Sequence, residues 1–299
     1  MPTYNRADAL RKTIPTVLDQ SFDDFELLIN DDGSNDDTEA VIKSFDDPRI
    51  SYNRNSSNLK MPGNLNAAIQ RATGDYVVVF HDHDLYSPDT LKEMVSMLDR
   101  HETVGMVHPG ILWMNQTTGE TRNMVAGFPE RMSGPDLLRK HLLWSWGSPV
   151  CALYMTRKSF YDQLGLYDPN FGFVSDVDMT MRLCGVCDIG YVAKPLITCL
   201  ERESDHEYAA LNWRVPVWVE AMHRKHIRTA YASGPARIFA GIRHYFRTEA
   251  YFLKHFLICL KRKDLDTFDD GLKAISGKPC FFCRNIAKLM KIILRGLIQ

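Results

Sequence analysis

No charge of either sign dominates the chain. Its 36 lysines and arginines against 37 aspartates and glutamates leave a formal charge of −1. That argues against a general nucleic-acid binder, in which a basic excess is the rule. The N-terminus lacks the basic stretch and apolar core of a secretory signal. No uncharged apolar run reaches the ~18 residues a spanning helix needs. There is no internal repeat and no low-complexity stretch. A dinucleotide oxidoreductase is disfavoured because no G-x-G-x-x-G follows an early strand. A sugar-phosphate nucleotidyltransferase is disfavoured because Pro2 to Arg11 holds no glycine-rich basic loop. Cysteine is sparse and odd in number, seven in all, without the framework of a small secreted protein, so a reducing cytoplasm is expected. Two pairs have C-x-x-C spacing, Cys184 with Cys187 and Cys280 with Cys283. They lie much farther apart than the ~15–20 residues of a zinc ribbon, and buried thiols on helix faces are the simpler reading.

What is present is an alternation of strand-like and helix-like segments, in a chain whose 299 residues suit one large α/β domain or one domain with an appendage. Leu10, Ile14, Val17 and Leu18 recur at helical spacing within Ala7–Gln20, with Pro15 predicting a kink or an early break. Phe25–Ile29 and Ile50–Arg54 read as strands, and Asp36–Phe45 and Asn64–Ala72 as helices. Tyr76–Phe80, three valines between aromatics, is the clearest strand. Ser87 is placed to cap the next helix, with Pro88 at its first position. After Gly105 a hairpin around Thr117–Glu120, a helix over Pro135–Leu143, a strand over Val150–Met155, a helix over Asp176–Leu183 and a strand or two over Tyr191–Leu200 are expected. The alternation predicts an α/β fold with a mostly parallel sheet between helices. In such folds ligands bind outside the carboxyl ends of the strands.

Three acidic clusters follow expected strands or open a helix. His81-Asp82-His83-Asp84 follows Tyr76–Phe80. In an extended chain residues two apart share a side, so Asp82 and Asp84 would face one ligand together. Two such carboxylates suit a hard divalent cation, Mg²⁺ or Mn²⁺, that bridges substrate phosphates; the other reading is a solvated acidic turn. Asp31 and Asp32, followed by Gly33 and Ser34, could accept from a base or ribose or simply form an Asx-rich turn. Asp176 and Asp178 could be dipole partners of a helix start, and one of them a general base.

Taken in order, Pro2-Thr3-Tyr4-Asn5-Arg6, Asn30-Asp31-Asp32-Gly33-Ser34, Gly74-Asp75-Tyr76 leading to Asp82-His83-Asp84, and Ser175-Asp176-Val177-Asp178 with Arg182 resemble the family-two glycosyltransferases over about residues 2–206. The resemblance implies a GT-A fold with a Rossmann-like nucleotide-binding half (about 1–104), an acceptor half (about 105–206) and a helical C-terminal region (207–299). It implies that Thr3, Tyr4 and Arg6 line the nucleotide pocket and that Asp32 contacts the base. Asp82 would lie near ribose and metal, Asp84 would reach metal and diphosphate, and Asp176 would be the catalytic base. His206 would be a late metal or diphosphate ligand. A nucleotide-sugar donor, UDP-linked by default, Mn²⁺ or Mg²⁺, and a glycan or lipid-linked acceptor follow from it, with inversion at the anomeric carbon. The alternative is an inactive sugar-nucleotide-binding or scaffold protein.

The chain departs from the family pattern in three places. Ser175 stands where the family often has Glu. No Q-x-x-R-W motif follows, which favours one sugar per event over polymerisation. The apolar strand that precedes Pro-Thr-Tyr-Asn in the family is missing, so Met1 is expected to be internal to a longer protein, and upstream residues to raise stability. Finally, 280–299 carries Arg284, Lys288, Lys291 and Arg295 among apolar residues and no acid. This predicts a basic amphipathic helix, either lying on an anionic membrane or packed on the protein with a solvated basic face.

Overall fold

The computed structural model describes residues 1–145, 148–150, 153–201, 214–231, 233–276 and 281–298. The chain forms two compact units, Met1–Leu138 with Ser148–Arg202, and Arg139–Gly147 with Glu203–Gln299.

The first unit opens with β1 (Pro2–Thr3), α1 (Ala7–Leu18), β2 (Leu27–Asp31), α2 (Thr38–Lys43), β3 (Ile50–Arg54) and α3 (Lys60–Arg71). These strands form a three-stranded parallel sheet in the order β1-β2-β3. There follow β4 (Tyr76–Val78), β5 (Leu85–Tyr86), α4 (Thr90–Arg100), β6 (Val104–Asn115), β7 (Thr121–Met124), β8 (Arg131–Met132) and α5 (Gly134–Trp144). Then come β9 (Met155–Arg157), α6 (Ser159–Leu164), a 3₁₀ turn (Pro169–Val174), α7 (Ser175–Cys184) and β10 (Asp188–Glu201). The second sheet runs β4-β9-β6-β10-β5, with β7 on β6 and β8 on β10. The long β6–β10 pair is parallel, and the other pairs in this sheet are antiparallel. The α/β class expected from the alternation is therefore present, with a mixed second sheet.

Why these segments fold as they do is plain in their buried faces. Leu10, Ile14 and Val17 of α1 meet Leu27 and Ile29 of β2 and Met94 and Leu98 of α4 in one apolar core, the 3.6- and 2-residue periods converging on one interior. Pro15 neither kinks nor ends α1, whose Asp19 amide still bonds the Pro15 carbonyl at 3.0 Å. Pro15 and Arg11, whose carbonyl loses its donor, both face solvent, where water can take the bond. Helix α4 starts at Thr90 rather than at Pro88, because the Ser87 carbonyl takes the Thr90 amide and hydroxyl. The strand expected over Val150–Met155 begins at Met155 and pairs with β4 and β6 instead.

The nitrogen of Met1 is buried against β2, donating to Leu28 O at 2.8 Å, and burial lowers its pKa from 8 to about 5. Beside it, a cavity of about 470 Å³ runs between Leu27 and Leu28 on one side and Tyr76 to Val79 on the other. No pairing joins β1 to β4.

The second unit is helical: the part of α5 from Arg139 onward, then Arg214–Ala230, Pro235–Arg262, Leu265–Ala274 and Phe281–Ile298. Its core holds Phe252, Phe256, Phe268, Ile275, Ala287 and Met290. The C-terminal helix thus packs on the unit through Ala287 and Met290, and its Lys291 pairs with Asp269 at 2.6 Å.

Candidate functional site

Thr3 ends β1, Asp31 ends β2, and the segment 81–84 follows β4. A cleft of about 310 Å³ opens on this side, lined by Asn5, Arg6, Lys12, Asp36, His83 and Leu200 among others. This is the carboxyl-end location that open α/β sheets offer to ligands.

The first cluster holds the chain itself together. Asp31 is fully buried; it accepts the Ser34 amide (2.9 Å) and hydroxyl (2.5 Å) and the Tyr52 hydroxyl (2.9 Å). Asp32, also buried, accepts from Asn55 Nδ2 (2.9 Å) and from the backbone amides of Leu59 (2.7 Å) and Lys60 (2.8 Å). One carboxylate thus closes the β2–α2 turn and the other fixes the entry to α3. Sequence reading missed the asparagine network behind them: Asn30 donates to Asn55 (3.0 Å) and Asn64 (2.8 Å), and Asn64 donates to the Asn30 carbonyl at 2.9 Å. The signal was a run of Asn in places where loops are normally solvated. Thr3 is buried, with its carbonyl accepting the Asp32 amide at 2.9 Å. Tyr4 is exposed. The Arg6 amide donates to Thr38 Oγ1 at 3.0 Å, which starts α1 beside the cleft.

The segment 81–84 is a turn, not a continuation of the strand, because β4 ends at Val78. The extended geometry that would set Asp82 beside Asp84 is therefore absent. Ligand atoms of His81, His83 and Asp84 come within 4.8 Å of one another, the only such metal-capable group among the described residues. His81 Nδ1 faces Asp84 Oδ2 at 3.1 Å, and His83 Nδ1 faces Asp82 Oδ1 at 2.9 Å. A carboxylate thus stands behind one nitrogen of each ring, the arrangement that fixes the tautomer of a histidine whose other nitrogen binds a metal. The sequence reading weighed the two aspartates and passed over the two histidines between them, although imidazole is a common metal ligand. Asp84 is further anchored by the Leu200 amide (3.2 Å) and by Thr13 donating to its carbonyl (2.9 Å).

The charges of this turn are mutually tuned. Burial opposes protonation of His81, but the Asp84 carboxylate outweighs it, aided by Asp82 and Asp176, and raises its pKa above the ordinary 6.5. Burial pushes Asp82 up, but the His83 beside it brings it below the usual carboxylate value. Asp176, in the first turn of α7, behaves oppositely. Burial raises its carboxyl above 3.8, and the Val177 amide and the charge of His81 only partly offset that. The two residues therefore sense each other's charge. Behind Asp176, Tyr154 and Tyr167 share a buried hydroxyl–hydroxyl bond of 2.8 Å. Asp178 points the other way, fully buried and 2.9 Å from Arg182, which ties α7 to the carbonyls of Leu164 and Leu166.

His206 lies outside the described residues, as does Cys280. Cys184 and Cys187 are free and buried. Burial raises both thiols, that of Cys187 to about 12, so neither is a ready thiolate for metal.

A parallel β1-β2-β3 sheet and a mixed sheet that share one apolar core, with acids and histidines gathered near the strand ends, form the arrangement of the GT-A class of glycosyltransferase. Residues 1–165, more than half of the chain, match the family described as Glycosyl transferase family 2, and the chain belongs to that family. EpsE of Bacillus subtilis, described as a glycosyltransferase, is 27% identical over 211 residues, covering 69% of this chain and 72% of EpsE. A Campylobacter jejuni GalNAc(5)-diNAcBac-PP-undecaprenol beta-1,3-glucosyltransferase is 34% identical over 111 residues, covering 36% of this chain and 35% of that enzyme. Among solved structures, Staphylococcus aureus TarS 1-349 in complex with UDP-GlcNAc superposes with a TM-score of 0.59 at 18% identity, over 92% of this chain and 80% of TarS. That likeness bears on the fold.

Proposed function

We propose that the chain is a metal-dependent, inverting, non-processive glycosyltransferase. It moves one sugar from a nucleoside-diphosphate sugar, UDP-linked by default, to an acceptor hydroxyl in glycan or surface polysaccharide biosynthesis. The observation that carries the reading is the meeting of a metal-capable turn, His81, His83 and Asp84, with the charge of a half-buried, raised carboxyl, Asp176.

In this reading residues 1–104 bind the donor and 105–206 the acceptor. Thr3, Tyr4 and Arg6 border the nucleotide. Asp32 contacts the base and, through the amides of Leu59 and Lys60, fixes the entry to α3. Asp82 acts through His83, and His206 belongs to the same ligand sphere. The donor set of two imidazoles and one carboxylate fits a divalent cation, and it is softer than paired carboxylates, which favours Mn²⁺ over Mg²⁺. Such an ion, when bound, offsets the charge growing on the leaving diphosphate. Asp176 takes the proton of the acceptor hydroxyl as that oxygen bonds to the anomeric carbon and the bond to the diphosphate oxygen breaks. A single displacement inverts the centre and needs no enzyme nucleophile. The raised pKa of Asp176 suits a base, since a stronger base accepts the proton more readily. An acceptor borne on a lipid diphosphate, as named for the Campylobacter relative, would bring the cytoplasmic protein to a membrane surface, and the basic helix Phe281–Ile298 is one contact for it. No described helix is long and apolar enough to cross a membrane.

The test is donor hydrolysis across a panel of nucleotide sugars with Mn²⁺ or with chelator. Release of one nucleoside diphosphate, dependent on metal and lost in Asp84→Ala, supports the reading and names the donor. Donor binding without turnover, with any acceptor extract, favours the inactive scaffold instead.

A further inference from the structure

The second unit carries a surface that the transfer chemistry does not use. In the helix Pro235–Arg262, Ile238, Phe239, Ile242 and Phe246 are 64%, 51%, 52% and 60% exposed. At ~100° per residue they fall within one arc of ~100°, so they form a single ridge rather than scattered contacts. Trp144 is exposed at 62% and joins the ridge through Arg243, which stacks 4.0 Å over its ring and 5.8 Å from that of Phe239. An exposed Leu or Ile alone needs no explanation, but a contiguous apolar ridge on a soluble face does.

Next to the ridge lies a cleft of about 260 Å³ between this helix and Arg214–Ala230, its walls including Arg224, Arg228, Arg237, His244, Tyr245 and Glu220. Glu220 is buried beneath Arg224, 3.4 Å away. Across the two helices ten lysines and arginines stand against two glutamates, Glu220 and Glu249, and both acids are buried. Among the described residues lining the cleft, three are arginines, Arg224, Arg228 and Arg237, and the one acid, Glu220, is buried, so its wall is basic. At the boundary of ridge and cleft sits Gly241, and a Cβ there would meet nothing within 4 Å. A glycine inside a helix costs about 1 kcal/mol relative to alanine, and no packing explains this one. It leaves the helix backbone open to a group arriving from outside.

We propose that this ridge and cleft form a membrane-docking surface for an anionic bilayer. The apolar side chains enter the acyl boundary, and the arginines of the cleft receive lipid headgroup phosphates. Amphipathic helices with large apolar and basic faces bind such surfaces by burial and by attraction to acidic lipid. Charge complementarity selects this occupant over a second copy of the chain, because two copies meeting ridge to ridge would face arginine with arginine. The surface is distinct from the C-terminal helix, where Leu289 and Ile292 are exposed, and it does not rest on the transferase reading.

The experiment is co-sedimentation of the full chain, without donor, with vesicles of phosphatidylcholine alone or mixed with phosphatidylglycerol. The chain is expected to sediment with the mixed vesicles and far less with the neutral ones, and to be released by salt. Arg228→Glu is expected to weaken binding well beyond the about fivefold that one basic residue contributes at such a surface. Ile242→Ser with Phe246→Ser is expected to abolish it, whereas Leu289→Ser leaves most of it; unchanged circular dichroism and melting would show these surface variants folded. Equal binding to neutral vesicles would overturn the proposal. So would binding that survives the ridge variants and is lost in Leu289→Ser, or a dimer that the ridge variants dissociate with no vesicle binding in the parent.

Discussion

Asp31 and Asp32 in the first unit, and Ile238 and Phe246 in the second, each stand on the unusual side of the partition between core and surface. The first pair are charged groups inside, and every oxygen has a donor from the chain. The second are large apolar groups outside, beside Arg237. The contrast separates two ways a fold holds potential for a ligand. In the first unit the polar groups are fixed by one another, so the turn after β4 and the start of α7 can present Asp84 and Asp176 in set positions. In the second the apolar ridge stands largely exposed, with Arg243 stacked on Trp144 and near Phe239, which makes it a surface for something extended and forgiving in shape.

Mutations can break this contrast at its strongest point first. Asp176→Asn should cut sugar transfer by about 10²–10⁴-fold, the usual worth of a general base, while donor binding and melting temperature stay close to the parent in calorimetry. Because the base must be ionised, activity should rise with pH through a pKa above 3.8 and fall away below it. An acid limb at or below the ordinary carboxylate value would count against this residue as the base. Asp31→Ala strips an acceptor from Ser34 and Tyr52 inside the fold and should cost about 2–4 kcal/mol in urea unfolding. A loss under 1 kcal/mol would show that the buried acids are not what fixes the strand ends.

Smaller effects sharpen the picture. Asp82→Asn removes the carboxylate behind His83 and should weaken metal affinity roughly 10–100-fold, as loss of such a supporting group does, with folding retained; titration calorimetry would read it. Lys291→Ala breaks a partly exposed pair with Asp269 and should change stability by about 0–1 kcal/mol, since Ala287 and Met290 carry the docking of that helix.

The legible part of the fold was the part governed by local periodicity. Ile50–Arg54 is a strand as expected, and α5, α7, the β6–β7 hairpin and the C-terminal helix fall within a residue or two of their expected bounds, apart from β7's shorter reach. The parallel partners of β2 follow from the alternation. What was not legible depends on contacts distant in the chain. β5 and β8 are two-residue strands that exist only because β10 passes beside them. The strand over Phe25–Ile29 shifts to Leu27–Asp31 because the Leu27 amide takes the Arg49 carbonyl and sets the register with β3.

The site was legible in its residue types and not in its geometry. Spacing drew attention to Asp82 and Asp84, but the chain turns at that point, so the grouping falls on His81, His83 and Asp84. That Asp178 is tied to Arg182 while Asp176 is raised by burial is equally a matter of which way one helix turn faces. Two carboxylates two residues apart on a helix point about 160° from parallel by its ~100° step, so one meets the interior and the other the site.

The most direct measurement of the central claim is Mn²⁺ binding by electron paramagnetic resonance, with and without UDP, in the parent and in Asp84→Ala. The account predicts one Mn²⁺ site, tightened by UDP and lost in the variant while its melting temperature is kept. Mn²⁺ binding that ignores UDP and survives Asp84→Ala would contradict it.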